Sequence, residues 1–141
     1  MDQRLTFITI GVKDLTGLAT FYKDKFGWTP LKDGNDIVFF KLNGIILGLF
    51  PGEELAKEAA VVYTDALFKG FTLSINYNSE AEVDKAFQEL SDKGVHIVKA
   101  PEKVFWGGYS GYVADPEHNL WEIAFNPFLE MDADGNVLAH P

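Results

Sequence analysis

Two stretches of this chain, residues 1–50 and 71–127, set out the same order of elements, and that duplication constrains the fold more than any other feature. In the first, Leu5–Val12 alternates as a strand, with Ile8, Ile10 and Val12 on one face and Phe7, Thr9 and Gly11 on the other. Asp14 is placed to cap a helix, because its carboxylate can accept an orphan amide of the first turn. Leu15, Leu18, Ala19, Tyr22 and Phe26 then recur at helical spacing, and Gly27 supplies the left-handed stop. Strands are expected at Thr29–Lys32, Asp36–Leu42 and Ile45–Phe50, with Asp33-Gly34-Asn35 and Asn43-Gly44 as the turns.

The second stretch repeats the order. Phe71–Tyr77 alternates, with Leu73, Ile75 and Tyr77 opposite Thr72, Ser74 and Asn76. Ser79 and Glu82 have the spacing of a capping box, in which each satisfies a backbone amide near the other. Val83, Ala86, Phe87 and Leu90 form the apolar stripe, and Gly94 ends the helix. Strands follow at Val95–Lys99, Gly108–Ala114 and Leu120–Asn126, with Asp115-Pro116-Glu117-His118-Asn119 as the tight turn before the last. Aligning Asp14 with Ser79 sets Ile8, Ile10 and Val12 against Leu73, Ile75 and Tyr77 without a gap, as a structural duplication requires. The fold class read from this is α+β, with two tandem β-α-β-β-β modules.

One domain is expected over 1–141, with module one at about 4–50, a linker at 51–70, module two at about 71–127 and a tail at 128–141. The linker carries a helix-like run, Glu53 to Ala60; a connection this long is uncommon unless it packs on or covers something, and a surface linker helix is expected here rather than a lid. In the tail, Asp134-Gly135 reads as a hairpin turn. Glu130, Asp132, Asp134 and Gly135 echo a calcium loop, but its closing Glu position falls on Pro141, which excludes that reading.

Composition removes whole classes of function. A net charge of −9 argues against nucleic acid and against an anionic membrane surface, since both reward Lys and Arg. With no cysteine, disulfides, thiolate nucleophiles and zinc–thiolate sites are excluded. The first residues lack the layout of a secretory signal, and no segment approaches the ~20 apolar residues that span a bilayer. A cytoplasmic protein is therefore expected. An apolar fraction of 47%, with 12 Phe, is enough for a sizeable core.

Two segments resemble the vicinal oxygen chelate superfamily of glyoxalase I, bleomycin-resistance proteins and extradiol dioxygenases. One is Ile10-Gly11-Val12-Lys13-Asp14-Leu15 running into Phe21-Tyr22; the other runs from Gly107 through Tyr112, Asp115 and His118 to Glu122-Ile123. The second is especially similar to a broad bacterial group of glyoxalase-like proteins. The resemblance covers about residues 4–127 and implies paired modules whose curved mixed sheet encloses a pocket, usually in a homodimer. Metal-dependent members carry four ligands, one on the first and one on the last strand of each module. Carried onto this chain, those slots hold Phe7, Gly48, Thr72 and Glu122. Phe and Gly offer no donor, and one carboxylate does not hold a transition metal. No metal or other cofactor is therefore expected.

Glu122 is the candidate catalytic residue. It interrupts the apolar run Leu120-Trp121-Glu122-Ile123-Ala124-Phe125, and strand parity leaves either a solvated face or a cavity around it. In a cavity, desolvation would raise its pKa and fit it for general-base work; equally, it can accept hydrogen bonds from a ligand. Trp106, Tyr109 and Tyr112, interleaved with glycines, are candidate ligand contacts, as are Phe7, Thr9, Thr72, Ser74 and Asn76 on the strand faces opposite the core. The bland alternative for the aromatics is ordinary core or dimer packing. His96, His118 and His140 form no ligand trio by spacing.

The reading is a homodimer that binds a small aromatic or apolar molecule, by sequestration or with metal-free acid/base chemistry through Glu122. The competing reading is a metal-dependent lyase or isomerase of the glyoxalase I type, similar to lactoylglutathione lyase, with ligands drawn from other positions. A third is a module whose role is protein association.

Overall fold

The computed structural model describes residues 1 and 3–140. The chain divides into two compact units between Ala66 and Leu67. The first unit contains β1 (Phe7–Val12), α1 (Leu15–Lys25), β2 (Lys32–Asp33), β3 (Val38–Lys41), β4 (Ile46–Pro51) and α2 (Gly52–Glu58). Its sheet has the order β1-β4-β3-β2, with β1 parallel to β4 and the other pairs antiparallel.

Alternation divides the faces of β1 as its sequence requires: Ile10 and Val12 are buried, whereas Phe7 and Thr9 are exposed. Asp14 caps α1 by accepting a hydrogen bond from the Gly17 amide at 2.9 Å. The core of the unit is aromatic. Tyr22 on α1 is fully buried, stacked on Trp28 at 5.5 Å and edge-on to Phe40 at 5.9 Å. Truncating Tyr22 or Phe40 to Ala would remove about 3–5 kcal/mol of packing. The expected strand at Thr29–Lys32 shrinks to Lys32–Asp33. Pro30 has no amide to donate, and Leu31 makes the first bond to β3, its N–H reaching the Phe39 carbonyl at 2.7 Å.

The second unit contains β5 (Leu73–Tyr77), α3 (Glu80–Asp92), β6 (His96–Lys103), β7 (Tyr109–Ala114), β8 (Leu120–Phe125), β9 (Glu130–Met131) and β10 (Val137–Ala139). Its four-stranded sheet has the order β5-β8-β7-β6, with β5 parallel to β8, so the topology of the first unit is repeated. Each unit thus has its own four-stranded mixed sheet within an α+β fold. Ser79 caps α3, the Glu82 amide donating to its Oγ at 3.2 Å, while Glu82 Oε2 reaches one residue further back than a capping box requires and accepts from the Asn78 amide at 2.8 Å. Val83, Ala86, Phe87 and Leu90 of α3 are buried with Val113, Trp121 and Ile123 of the sheet.

Strand β6 runs longer than the Val95–Lys99 expected, through Pro101 to Lys103, and shifts register twice against β7. As the edge strand it tolerates a proline. Gly111 is what lets β6 and α3 close in. Any Cβ there would lie 2.5 Å from the Lys99 carbonyl oxygen and 2.6 Å from the Phe87 ring.

Two turns share one construction. In Asp115–Asn119 the Asp115 carboxylate accepts from the Glu117 and Asn119 amides and from the Asn119 side chain, at 2.9, 2.9 and 2.7 Å. Asp132–Asn136, which joins β9 to β10, repeats this with bonds from Asp134, Asn136 and the Asn136 side chain at 2.9, 2.8 and 2.9 Å. The fourth residue is left-handed in both, His118 at φ 63° and Gly135 at φ 80°. The bonds from Asn136 hold the Asp132 carboxyl below its usual pKa.

Candidate functional site

The register of the second sheet brings three polar side chains into one row. On β8, Glu122 faces Ser74 of β5 on one side and Tyr112 of β7 on the other. The Tyr112 hydroxyl donates to Glu122 Oε2 at 2.7 Å, and the Ser74 hydroxyl donates to Oε1 at 3.2 Å. Asn76 extends the row, its Nδ2 donating to Ser74 Oγ at 3.2 Å. Every link points toward the half-buried carboxylate. The bond to Glu122, helped by burial and by the nearby charge, pushes the Tyr112 phenol up to about 12, so it stays a donor.

Alternation then separates the two tyrosines of β7. Tyr109 and Gly111 share the face that packs on α3, and the Tyr109 hydroxyl donates to Asp84 of that helix at 2.6 Å. That bond pushes the Tyr109 phenol up to about 12. Tyr109 is therefore across the sheet from Glu122, because an odd number of residues on a pleated strand reverses the face.

Trp106 lies in the turn between β6 and β7, where Gly107 is left-handed at φ 99°. Its indole occupies the place that a Cβ on Gly108 would fill. Thr72 precedes β5 and is exposed, outside the ladder that holds Ser74 and Asn76.

Phe7 and Thr9 belong to the first unit, where they line a cavity of about 440 Å³ with Phe39, Phe50, Leu55 and Glu58. Helix α2 reaches the same face of β1, since a Cβ on Gly11 would meet Gly52 at 3.0 Å and Leu55 at 3.5 Å. The linker thus covers part of the sheet surface. Thr9 and Phe39 flank Gly48 in the register of the first sheet, as Ser74 and Tyr112 flank Glu122 in the second.

The slots that the family resemblance implies for a metal do not fit one. Within the second unit, Glu122 is the single carboxylate of its row, and its neighbours are neutral hydroxyls. A phenol held protonated is a poor ligand, and transition metals want three or more N, S or carboxylate donors. Among the described residues, no three His, Asp or Glu side chains gather as a metal group.

The sequence model of the Glyoxalase/Bleomycin resistance protein/Dioxygenase superfamily matches residues 4–123. The chain belongs to this superfamily. Its similarity to a glyoxalase-related enzyme from Fulvimarina pelagi extends over 99% of both chains, at 34% identity and a TM-score of 0.89. A lactoylglutathione lyase from Agrobacterium tumefaciens shares the fold, with a TM-score of 0.71 at 24% identity over 89% of this chain and 96% of that one. The metallothiol transferase FosB of Staphylococcus saprophyticus is 26% identical over 87% of this chain and 77% of its own length. That of Lysinibacillus sphaericus is 27% identical over 86% and 81%.

Sequence reasoning named Glu122, Tyr112, Ser74 and Asn76 separately, and their junction was available from it. Counting outward from the turn at Asp115–Asn119 sets Tyr112 opposite Glu122. Phe39, Phe50, Leu55 and Glu58 were not singled out. Alternation through Val38-Phe39-Phe40 would have found Phe39, whereas the packing of α2 had no local signal.

Proposed function

We propose that this superfamily member binds a small molecule at the Glu122 row of its second unit, with Glu122 as the acceptor for a ligand donor and without a metal. The observation that carries the reading is the pair of hydroxyl bonds on Glu122, from Tyr112 and Ser74. They fix both carboxylate oxygens on a sheet face while leaving further lone pairs for a ligand hydroxyl, amine or amide. The donor row from Asn76 through Ser74 orients the Ser74 hydroxyl toward Glu122, which suits sequestration or mild acid/base chemistry at the carboxylate itself. Thr72 and Trp106 are included as contacts by their neighbourhood in sequence, whereas the Tyr109 hydroxyl is committed to Asp84.

The protein acts in this reading as a cytoplasmic homodimer. Exposed Leu67, Phe68, Phe71 and Phe105 provide apolar surface for a partner copy, and no helix among the described residues is long and apolar enough to cross a membrane. Sedimentation over a concentration series checks the dimer, which a monomer at every concentration would remove.

A second reading is favoured by the curated relatives, which are named metallothiol transferases. In it, Glu122 supplies one carboxylate to a metal whose other ligands come from elsewhere. Metal analysis of protein purified without chelator separates the two. Stoichiometric nickel, zinc or iron, lost in Glu122→Gln, would establish the second reading; its absence from both proteins supports the first.

A further inference from the structure

Building on the reading of the Glu122 row as a ligand site, we propose that its ligand is an organic cation rich in N–H donors, an amidinium or guanidinium on a small apolar or aromatic body. The direction of each hydrogen bond decides what the row still lacks. Ser74 has one hydroxyl hydrogen, and it goes to Glu122 Oε1 at 3.2 Å. That leaves Ser74 Oγ as an acceptor, so Asn76 presents its Nδ2 there, also at 3.2 Å, and its Oδ1 takes no hydrogen bond among the described residues. The Tyr112 hydrogen is likewise given to Glu122 Oε2, at 2.7 Å. The donors are thereby used, apart from the second hydrogen on Asn76 Nδ2. What remains is a set of acceptors: the free lone pairs of Glu122, the Tyr112 oxygen and the Asn76 carbonyl. A ligand made of acceptors finds one hydrogen to bind, whereas one with several N–H groups finds several partners.

Charge narrows the ligand further. Glu122 is half-buried, and among the described residues no Lys, Arg or His forms an ion pair with it. Lys99 stands opposite Tyr112 on β6, but its ammonium pairs with Glu102 at 2.9 Å. A partly desolvated carboxylate supported by hydroxyls alone gains most from a counter-ion, and charge-assisted hydrogen bonds are roughly twice as strong as neutral ones. A planar amidinium or guanidinium brings both, with N–H groups in a fork that spans two oxygens. A chain of net charge −9 also concentrates cations and repels anions.

The test is calorimetric titration of the metal-stripped full chain with three molecules of one shape, benzamidine, benzamide and benzoate. They place a cation, a neutral amide and an anion on the same ring. Benzamidine is expected to bind, with benzamide about tenfold weaker and benzoate undetected. Added salt should weaken benzamidine severalfold and leave benzamide unchanged. Glu122→Gln, whose fold is checked by thermal unfolding, should bring benzamidine down to the affinity of benzamide. No binding of benzamidine, or benzamide binding as tightly as benzamidine, would overturn the proposal. If both bound equally and both were lost in Glu122→Gln, the row would still be a ligand site and only its preference for a cation would fall. Wild-type affinity for benzamidine in Glu122→Gln would overturn both, since the molecule would then sit elsewhere.

Discussion

Glu122 and Gly48 hold the same register position in the two sheets of this protein. Each is on the last strand of its β-α-β-β-β unit, with β5 residue Ser74 or β1 residue Thr9 beside it, and β7 residue Tyr112 or β3 residue Phe39 opposite. One skeleton therefore carries two different faces. In the second unit the row is polar and centred on a carboxylate; in the first, Gly48 brings no side chain to the row and lies between Thr9 and the Phe39 ring.

The partnership of Tyr112 with Glu122 should be visible in alkali. The fold holds this phenol protonated, raising its pKa from 10.0 to about 12. Its contribution to stability is therefore complete below pH 10 and fades as pH rises from 10 through about 12. Tyr109 behaves likewise through Asp84. Spectrophotometric titration should find Tyr109 and Tyr112 ionising near pH 12, and Tyr112→Phe should remove one of these two transitions. The variant should lose about 1 kcal/mol in urea unfolding at pH 7, and its deficit should vanish above pH 12.

Tyr109→Phe provides the matched control. It removes a hydrogen bond of similar length, 2.6 Å, from the opposite face of the same strand. A similar loss of about 1 kcal/mol is expected in unfolding. Ligand binding at the Glu122 row should be unaffected by it and weakened by Tyr112→Phe.

The paired Asp–Asn turns predict a stabilising substitution. His118 holds the left-handed conformation that Gly135 holds in the sister turn, at φ 63° and 80°. His118→Gly should raise stability by about 0.5–1 kcal/mol, because the strain of a side chain at positive φ is relieved. Asn119→Ala should do the reverse, losing about 1–2 kcal/mol as the buried Asp115 carboxylate gives up its side-chain donor. Thermal unfolding measures both.

Gly111→Ala should be among the most damaging single changes, at about 3 kcal/mol or more. Its methyl group would have to displace the Lys99 carbonyl, 2.5 Å away, and the Phe87 ring together. Denaturant unfolding checks this, and a loss under 1 kcal/mol would mean that β6 yields freely.

Much of the fold was legible because both units announce themselves by local rules. Parity in Phe7–Val12, the caps at Asp14 and Ser79 and the turns at Asn43-Gly44 and Asp134-Gly135 all act over a few residues. Pairing was less legible, because it depends on register across strands. Tyr109 and Tyr112 read alike as aromatic neighbours of glycine, but one meets Asp84 on a helix and the other Glu122 on a strand. The seating of α2 against Gly11, and with it the cavity beside Phe7, comes from tertiary packing that no spacing in the linker encodes.

The central claim is that Glu122 receives a ligand without a metal. The measurement that tests it most directly is a thermal-shift screen of metal-stripped protein against small aromatic and apolar compounds bearing a hydrogen-bond donor. Compounds that stabilise the wild type are then titrated into Glu122→Gln. The account predicts binding without added metal and a loss of about tenfold or more in the variant, whose fold is retained because a glutamine still accepts from Tyr112. Binding that requires nickel, zinc or iron, or equal affinity in Glu122→Gln, would contradict it.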